Sequence, residues 1–200
     1  MKTPFSKQQV KIKQETSLYS GFMSLKKLCF DHLKYSGDWQ HSVQREILVR
    51  DDAVGVLLYD PKLQEFVMVE QLRIGALHDP VSPWLLEVVA GMVESGEDYQ
   101  QVAERESLEE AGATIKKMIP IVDYWVSPGG STERVALFLA LTDAHKVAEF
   151  AGLETEHEDI KVHRIDKQKL LQMLRQGRIN NAMALIAVQW FFLNESELHL

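Results

Sequence analysis

Two hundred residues, 46% hydrophobic and 26% charged, suit one folded domain of ordinary size with a small extension and exclude a disordered chain. A formal net charge of -7 argues against a broad basic surface for a nucleic-acid polymer, but it is compatible with one small phosphorylated compound neutralised locally by metal ions and arginines. Cys29 is the sole cysteine, which excludes an intramolecular disulfide and a cysteine-based zinc site and fits a reducing cytoplasm.

The first residues, MKTPFSKQQVKIKQ, carry lysines with no apolar stretch behind them, which is not the pattern of a secretory signal. From Val10 to Arg50 the runs VKIKQETSLYS, FMSLKKLCFDHLKYS and, after a turn at Ser36-Gly37-Asp38, WQHSVQREILVR predict antiparallel strands. Strands so few do not enclose a core of their own, so this piece should pack on the rest of the chain or on a second copy. Two further strands, 53–59 and 65–71, are joined by a turn at Asp60-Pro61-Lys62, and the second delivers Arg73 just past its end. A short apolar strand over 84–90, with Glu87 inside it, runs directly into Gly91.

Asp98 with Gln101 three places on predicts a capping box opening a helix over about 98–111. Helical spacing sets Glu106 and Glu110 on one face with Glu109 beside them. Glu104, Glu106, Glu109 and Glu110 fall within seven residues, more repulsion than Arg105 alone offsets. A solvated acidic face with an Arg105–Glu109 ion pair is the bland account. Magnesium is the sharper one, since it takes oxygen ligands from carboxylates and phosphates. Gly91 and Gly112 bracket the helix, where a loop must enter and a left-handed cap must leave.

Strands are predicted near 114–126 and 134–141, linked by Ser127-Pro128-Gly129-Gly130-Ser131-Thr132-Glu133, a turn expected to use positive backbone dihedrals at its glycines and to expose amides. The acidic loop 152–159, GLETEHED, precedes a strand over 160–165 and helices over 166–176 and 180–195. The apolar run 182–193 is far short of the roughly 20 residues of a membrane span and reads as a buried helix. Strands and helices in this order imply an α/β sandwich. The histidines show no metal-binding spacing, and Cys29 has no evident catalytic partner.

The run GMVESGEDYQQVAERESLEEAGA, with Gly91, Glu97, Arg105, Glu106, Glu109, Glu110 and Gly112 at fixed offsets, resembles the Nudix box, with Ser107 where an aliphatic residue is usual. Pro83-Trp84-Leu85-Leu86-Glu87, Val89-Ala90-Gly91-Met92, the SPGG loop, Glu158-Asp159-Ile160 and Asn181-Ala182 are similar to the bacterial ADP-ribose pyrophosphatase subfamily, in order and over nearly the whole chain. That resemblance implies a Nudix α/β/α sandwich with a mixed sheet over residues 51–200. It also implies an N-terminal antiparallel β-region over 1–50, exchanged in a homodimer. The implied activity is cytoplasmic hydrolysis of ADP-ribose to AMP and ribose 5-phosphate, with no nucleic-acid or membrane partner.

The metal site implied consists of Glu106, Glu109, Glu110, Glu158 and the Ala90 carbonyl around two or three magnesium ions, with manganese a substitute. Glu156 falls on the position of the catalytic base, and the choice between it and its neighbouring glutamates stays open; Glu109 and Arg105 complete the catalytic set. Arg45, Arg73, Glu87, Met92, Glu133 and Phe22 fall on substrate-contacting positions, the two arginines being placed at strand ends by the sequence reading. Two alternatives remain: another nucleoside diphosphate sugar such as GDP-mannose as substrate, or a sensor that binds ADP-ribose without cleaving it. The intact glutamates and the lack of a basic helix-turn-helix segment weigh against the sensor.

Overall fold

A computed structural model describes residues 5–198 and Leu200. The chain divides into two compact units, one within Met1–Asp51 and Trp125–Glu133, the other within Asp52–Tyr124 and Arg134–Leu200.

The first unit is a three-stranded antiparallel sheet of β1 (Val10–Ser20), β2 (Ser24–Leu33) and β3 (Trp39–Val49), in that order. The strands form as expected, turning at Gly37, whose φ of 96° suits the absence of a Cβ. Every residue of β1 is exposed, so the sheet has little core of its own. Its buried carboxylate is Asp31 in β2, which accepts the Ser42 amide at 2.9 Å and meets His41 at 3.0 Å and Lys13 at 3.2 Å. The Ser42 amide first, then His41 and Lys13, hold the Asp31 carboxyl well below the usual carboxylate range.

The 127–133 loop belongs to this unit. The Leu48 amide donates to the Gly130 carbonyl at 2.8 Å, and the Leu48 carbonyl accepts from Thr132 at 3.0 Å. The expected positive dihedrals are absent: neither Gly129 nor Gly130 has positive φ. Both the Gly130 and Ser131 amides fold back onto the Ser127 carbonyl, in a turn of ordinary hand.

The second unit is built on an eight-stranded sheet with central order β10-β11-β5-β4-β9-β8. Its strands are β4 (Asp52–Asp60), β5 (Glu65–Leu72), β6 (Trp84–Glu87), β7 (Val89–Val93), β8 (Lys117–Trp125), β9 (Arg134–Leu141), β10 (Phe150–Ala151) and β11 (Ile160–Asp166). β4 runs parallel to β9 and antiparallel to β5 and β7, so the sheet is mixed. Alternate residues of β4 enter two cores: Val54, Val56 and Leu58 on one face, Ala53, Leu57 and Tyr59 on the other. The first core packs beneath α1 (Tyr99–Ala111) through Val102 and Ala103. The second packs beneath α2 (Lys167–Arg175) and α3 (Ala182–Asn194) through Leu170, Val188 and Phe191. Burying each such valine or leucine contributes about 1.5–3 kcal/mol, and two covered faces make the expected α/β/α sandwich. No helix among the described residues is long and apolar enough to cross a membrane.

The strand expected over 84–90 is two strands. β4 pairs with β5 only at Leu58–Asp60, where the two then diverge. β6 pairs with β5 through Glu87 and Val69, while β7 pairs with β4 through Val89 and Val56. The chain changes partner at the buried Val88 and fills the wedge.

Candidate active site

The N-terminus of α1 is capped by Asp98, whose carboxylate accepts from the Gln100 and Gln101 amides at 3.0 and 3.1 Å. Its other end closes on Gly112 at φ 63°, with the Ala113 amide bonded to the Ser107 carbonyl. Ser107 is fully buried and donates its hydroxyl to the Ala103 carbonyl at 2.7 Å, so the unusual residue of the box leaves no orphaned polar atom.

Caps and spacing together aim the glutamates at β7. Glu110 is 2% exposed, and one carboxylate oxygen accepts the Ala90 amide at 3.0 Å. Glu106 lies against Gly91, where an added Cβ would fall 2.1 Å from its Oε1. Gly91 is thus inside a strand rather than in an entry loop, and its missing side chain is the cradle of Glu106. The Arg105 guanidinium reaches Glu106 at 2.9 Å and Glu109 at 3.1 Å.

The cluster is short of positive charge. Burial pushes Glu106 up to about 7, Arg105 opposes this, and Glu109, Glu158 and Glu156 add to it. Burial pushes Glu110 up to about 8, opposed by the Ala90 amide and reinforced by Glu158 and Glu106. As the side chains stand, no three His, Cys, Asp or Glu among the described residues are close enough together to hold a metal ion. Arg105 bridges Glu106 and Glu109, which with the buried Glu110 form one acidic row. An all-oxygen donor set, deficient in positive charge and with a glycine cradle, fits a hard divalent cation.

The acidic loop meets the end of α1 directly. The Gly152 amide, at φ 99°, donates to the Glu109 carbonyl at 3.2 Å. Glu154–Glu156 form one 3-10 turn, His157 follows at φ 56°, and Glu158 accepts the Leu153 amide at 3.3 Å. Glu156 is exposed and Glu158 half-buried. Arg73, just past β5, donates through Nε and Nη2 to one oxygen of Glu87 at 2.8 and 2.7 Å, so these two residues hold each other. Arg73 also lies near enough to favour ionisation of Glu110. Met92 is half-exposed on β7, beside Gly91.

Glu106, Glu109, Glu110, Arg105, Ala90, Glu156, Glu158, Arg73, Glu87 and Met92 thus all lie in the second unit. The other three lie in the first. Arg45 stands in the middle of β3 opposite Leu28, not at a strand end, and donates to the Gln44 carbonyl. The strand continues to Val49 because residues 46–49 keep pairing with β2. Phe22 is 89% exposed in the β1–β2 turn, and Glu133 meets Arg50 at 3.3 Å. Sequence reasoning missed one contact that seats the box helix: Tyr99 donates its hydroxyl to Asp52 at the start of β4. No spacing pattern links two residues so far apart.

A family model for the NUDIX domain matches residues 49–182. The chain is 43% identical to the ADP-ribose pyrophosphatase of Haemophilus influenzae over 97% of this chain and 91% of that protein. It is 29% identical to the GDP-mannose pyrophosphatase of an Enterobacter species, over 91% of this chain and 94% of that one. A crystal structure titled as an ADP compounds hydrolase shares the fold with a TM-score of 0.73 at 15% identity, covering 98% of this chain and 100% of that one. The chain therefore belongs to the NUDIX domain family and is a hydrolase.

Proposed function

We propose that this enzyme is a magnesium-dependent ADP-ribose pyrophosphatase, adding water across the pyrophosphate to give AMP and ribose 5-phosphate. The observation that carries the reading is the row of Glu106, Glu109 and Glu110 on α1 against Ala90 and Gly91, in which burial raises Glu110 and Glu106 to about 8 and 7. Identity favours the substrate: 43% to an ADP-ribose pyrophosphatase against 29% to a GDP-mannose pyrophosphatase, each over nearly the full chain.

Glu106, Glu109, Glu110, Glu158 and the Ala90 carbonyl would hold two or three magnesium ions, and manganese suits the same oxygens. Held by these oxygens, such ions would supply Lewis acidity to phosphate oxygens and to water. Arg105 orients Glu106 and Glu109 through its two ion pairs. Glu156, exposed at the end of its 3-10 turn, accepts the proton of the attacking water. Arg73 presents a guanidinium to the pyrophosphate with Glu87 fixing its plane. Met92, Arg45, Phe22 and Glu133 contact the remainder of the substrate.

The wholly exposed β1 supports a homodimer in which residues 1–50 are exchanged and contribute to dimerisation and to substrate contacts, with 51–200 as the catalytic domain. The single cysteine supports a cytoplasmic setting. The test is purified protein with ADP-ribose and magnesium, with and without chelator, its nucleotide products resolved beside a GDP-mannose reaction. Chelator-sensitive release of AMP, faster than turnover of GDP-mannose, is expected. Preference for GDP-mannose would replace the substrate, and binding of ADP-ribose without cleavage would replace the activity.

A further inference from the structure

On the side of the sheet covered by α2 and α3, away from α1, the second unit carries a half-open hollow of about 570 Å³. Its lining includes Glu70, Asp79, Trp84, His163, Lys169 and Arg178, none of which belongs to the carboxylate site. Small-molecule sites typically occupy about 300–1,000 Å³, so the space suits a ligand of mononucleotide size.

Charges of both signs line it, Glu70 and Asp79 beside Arg164, Lys169 and Arg178. One oxygen of Asp79 accepts the Val81 and Ser82 amides at 2.8 and 3.1 Å. Arg164, at the edge, is bound to Glu65 at 2.6 Å. Lys169 on α2 and the Arg178 guanidinium just after it have no side-chain partner among the described residues. Two unpaired cations in one hollow stand out in a chain of net charge -7. His163 adds a buried Nε2 with no hydrogen-bond partner, 3.4 Å from a Glu70 oxygen but outside bonding geometry. Beside these groups the Trp84 indole is 53% exposed, a broad planar surface that packing within the unit does not cover.

Cations recognise phosphate oxygens, an arginine doing so with a planar fork, and an exposed indole stacks on a planar ring. We propose that this hollow is a second, non-catalytic site for a phosphate monoester carried on a planar ring. Lys169 and Arg178 take the phosphate, Trp84 stacks on the ring, and Glu70 accepts from hydroxyl or amino groups. The proposal does not depend on which substrate the carboxylate site cleaves.

The test is an NMR titration of the full-length, chelator-treated protein with AMP, observing the indole N–H resonances. The Trp84 signal is identified by its loss in Trp84→Phe. It is expected to move saturably with AMP in the wild type and in Arg73→Ala. In Lys169→Gln/Arg178→Gln saturation is expected to need at least about ten-fold more AMP, the loss of charge-assisted hydrogen bonds, with the other three tryptophan signals in place. A Lys169→Arg variant keeping near wild-type affinity would separate lost charge from lost fold. A Trp84 signal indifferent to AMP, equal movement in the double glutamine variant, equal response to adenosine, or loss of the response in Arg73→Ala would each overturn the proposal.

Discussion

Glu110 combines near-complete burial with four surrounding influences, and only the Ala90 amide and Arg73 favour its charge. Glu110→Gln keeps the shape while removing that charge, so the variant is expected to fold and to lose at least about 100-fold in turnover if Glu110 is a metal ligand. Near wild-type turnover at saturating magnesium would remove the assignment. Gly91→Ala tests the cradle from the opposite side. Its methyl meets the mobile end of Glu106 rather than backbone, so the fold should survive while magnesium affinity falls about 10–100-fold, as for other groups that orient ligands. A calorimetric titration with magnesium checks this. The need for glycine at 91 was legible in the sequence as part of a pattern, but its cause was not: a contact between a strand and the third turn of a later helix has no local signature.

At the level of elements, α1 was readable because its signals are local. Asp98 and Gly112 act on backbone within a few residues of themselves, so the ends of the helix could be placed before its packing was known. Asp98→Ala is expected to lower unfolding free energy by about 1 kcal/mol, measured by chemical denaturation, and to leave the substrate preference unchanged. The partner switch at Val88 was hidden for the opposite reason. Trp84–Val93 is one apolar, extended run, and its division depends on where β4 and β5 part, a property of other segments. The Pro128-Gly129-Gly130 turn misled because glycine permits positive φ without requiring it. Arg45 was misplaced because the end of a strand is set by its pairing partner, here β2.

For the whole molecule, the raised carboxyls link stability to pH. Their folded values, about 7 and 8, exceed the ordinary 4.5, so folding favours the protonated forms. The stability they contribute is complete below about pH 4.5 and is lost as pH rises through 7 and 8. The metal-free melting temperature should therefore fall across that window, magnesium should restore it increasingly at the upper end, and Glu110→Gln should flatten both trends. Differential scanning calorimetry from pH 5 to 9 measures this. The exposed β1 leads to a second expectation. Light scattering should give twice the 22.9 kDa of one chain, and Ile12→Lys with Leu18→Lys, on apolar positions of β1, should shift the mass toward one chain. The single residue between β6 and β7 has a consequence for descent. Glu87, which holds Arg73, and Ala90, which meets Glu110, are locked to different neighbouring strands with only Val88 to absorb any change of length. An insertion or deletion there would shift one side chain to the wrong face of the sheet. Lineages built on this scaffold can therefore explore new substrates at this rim by exchanging side chains, whereas changes of length must accumulate elsewhere.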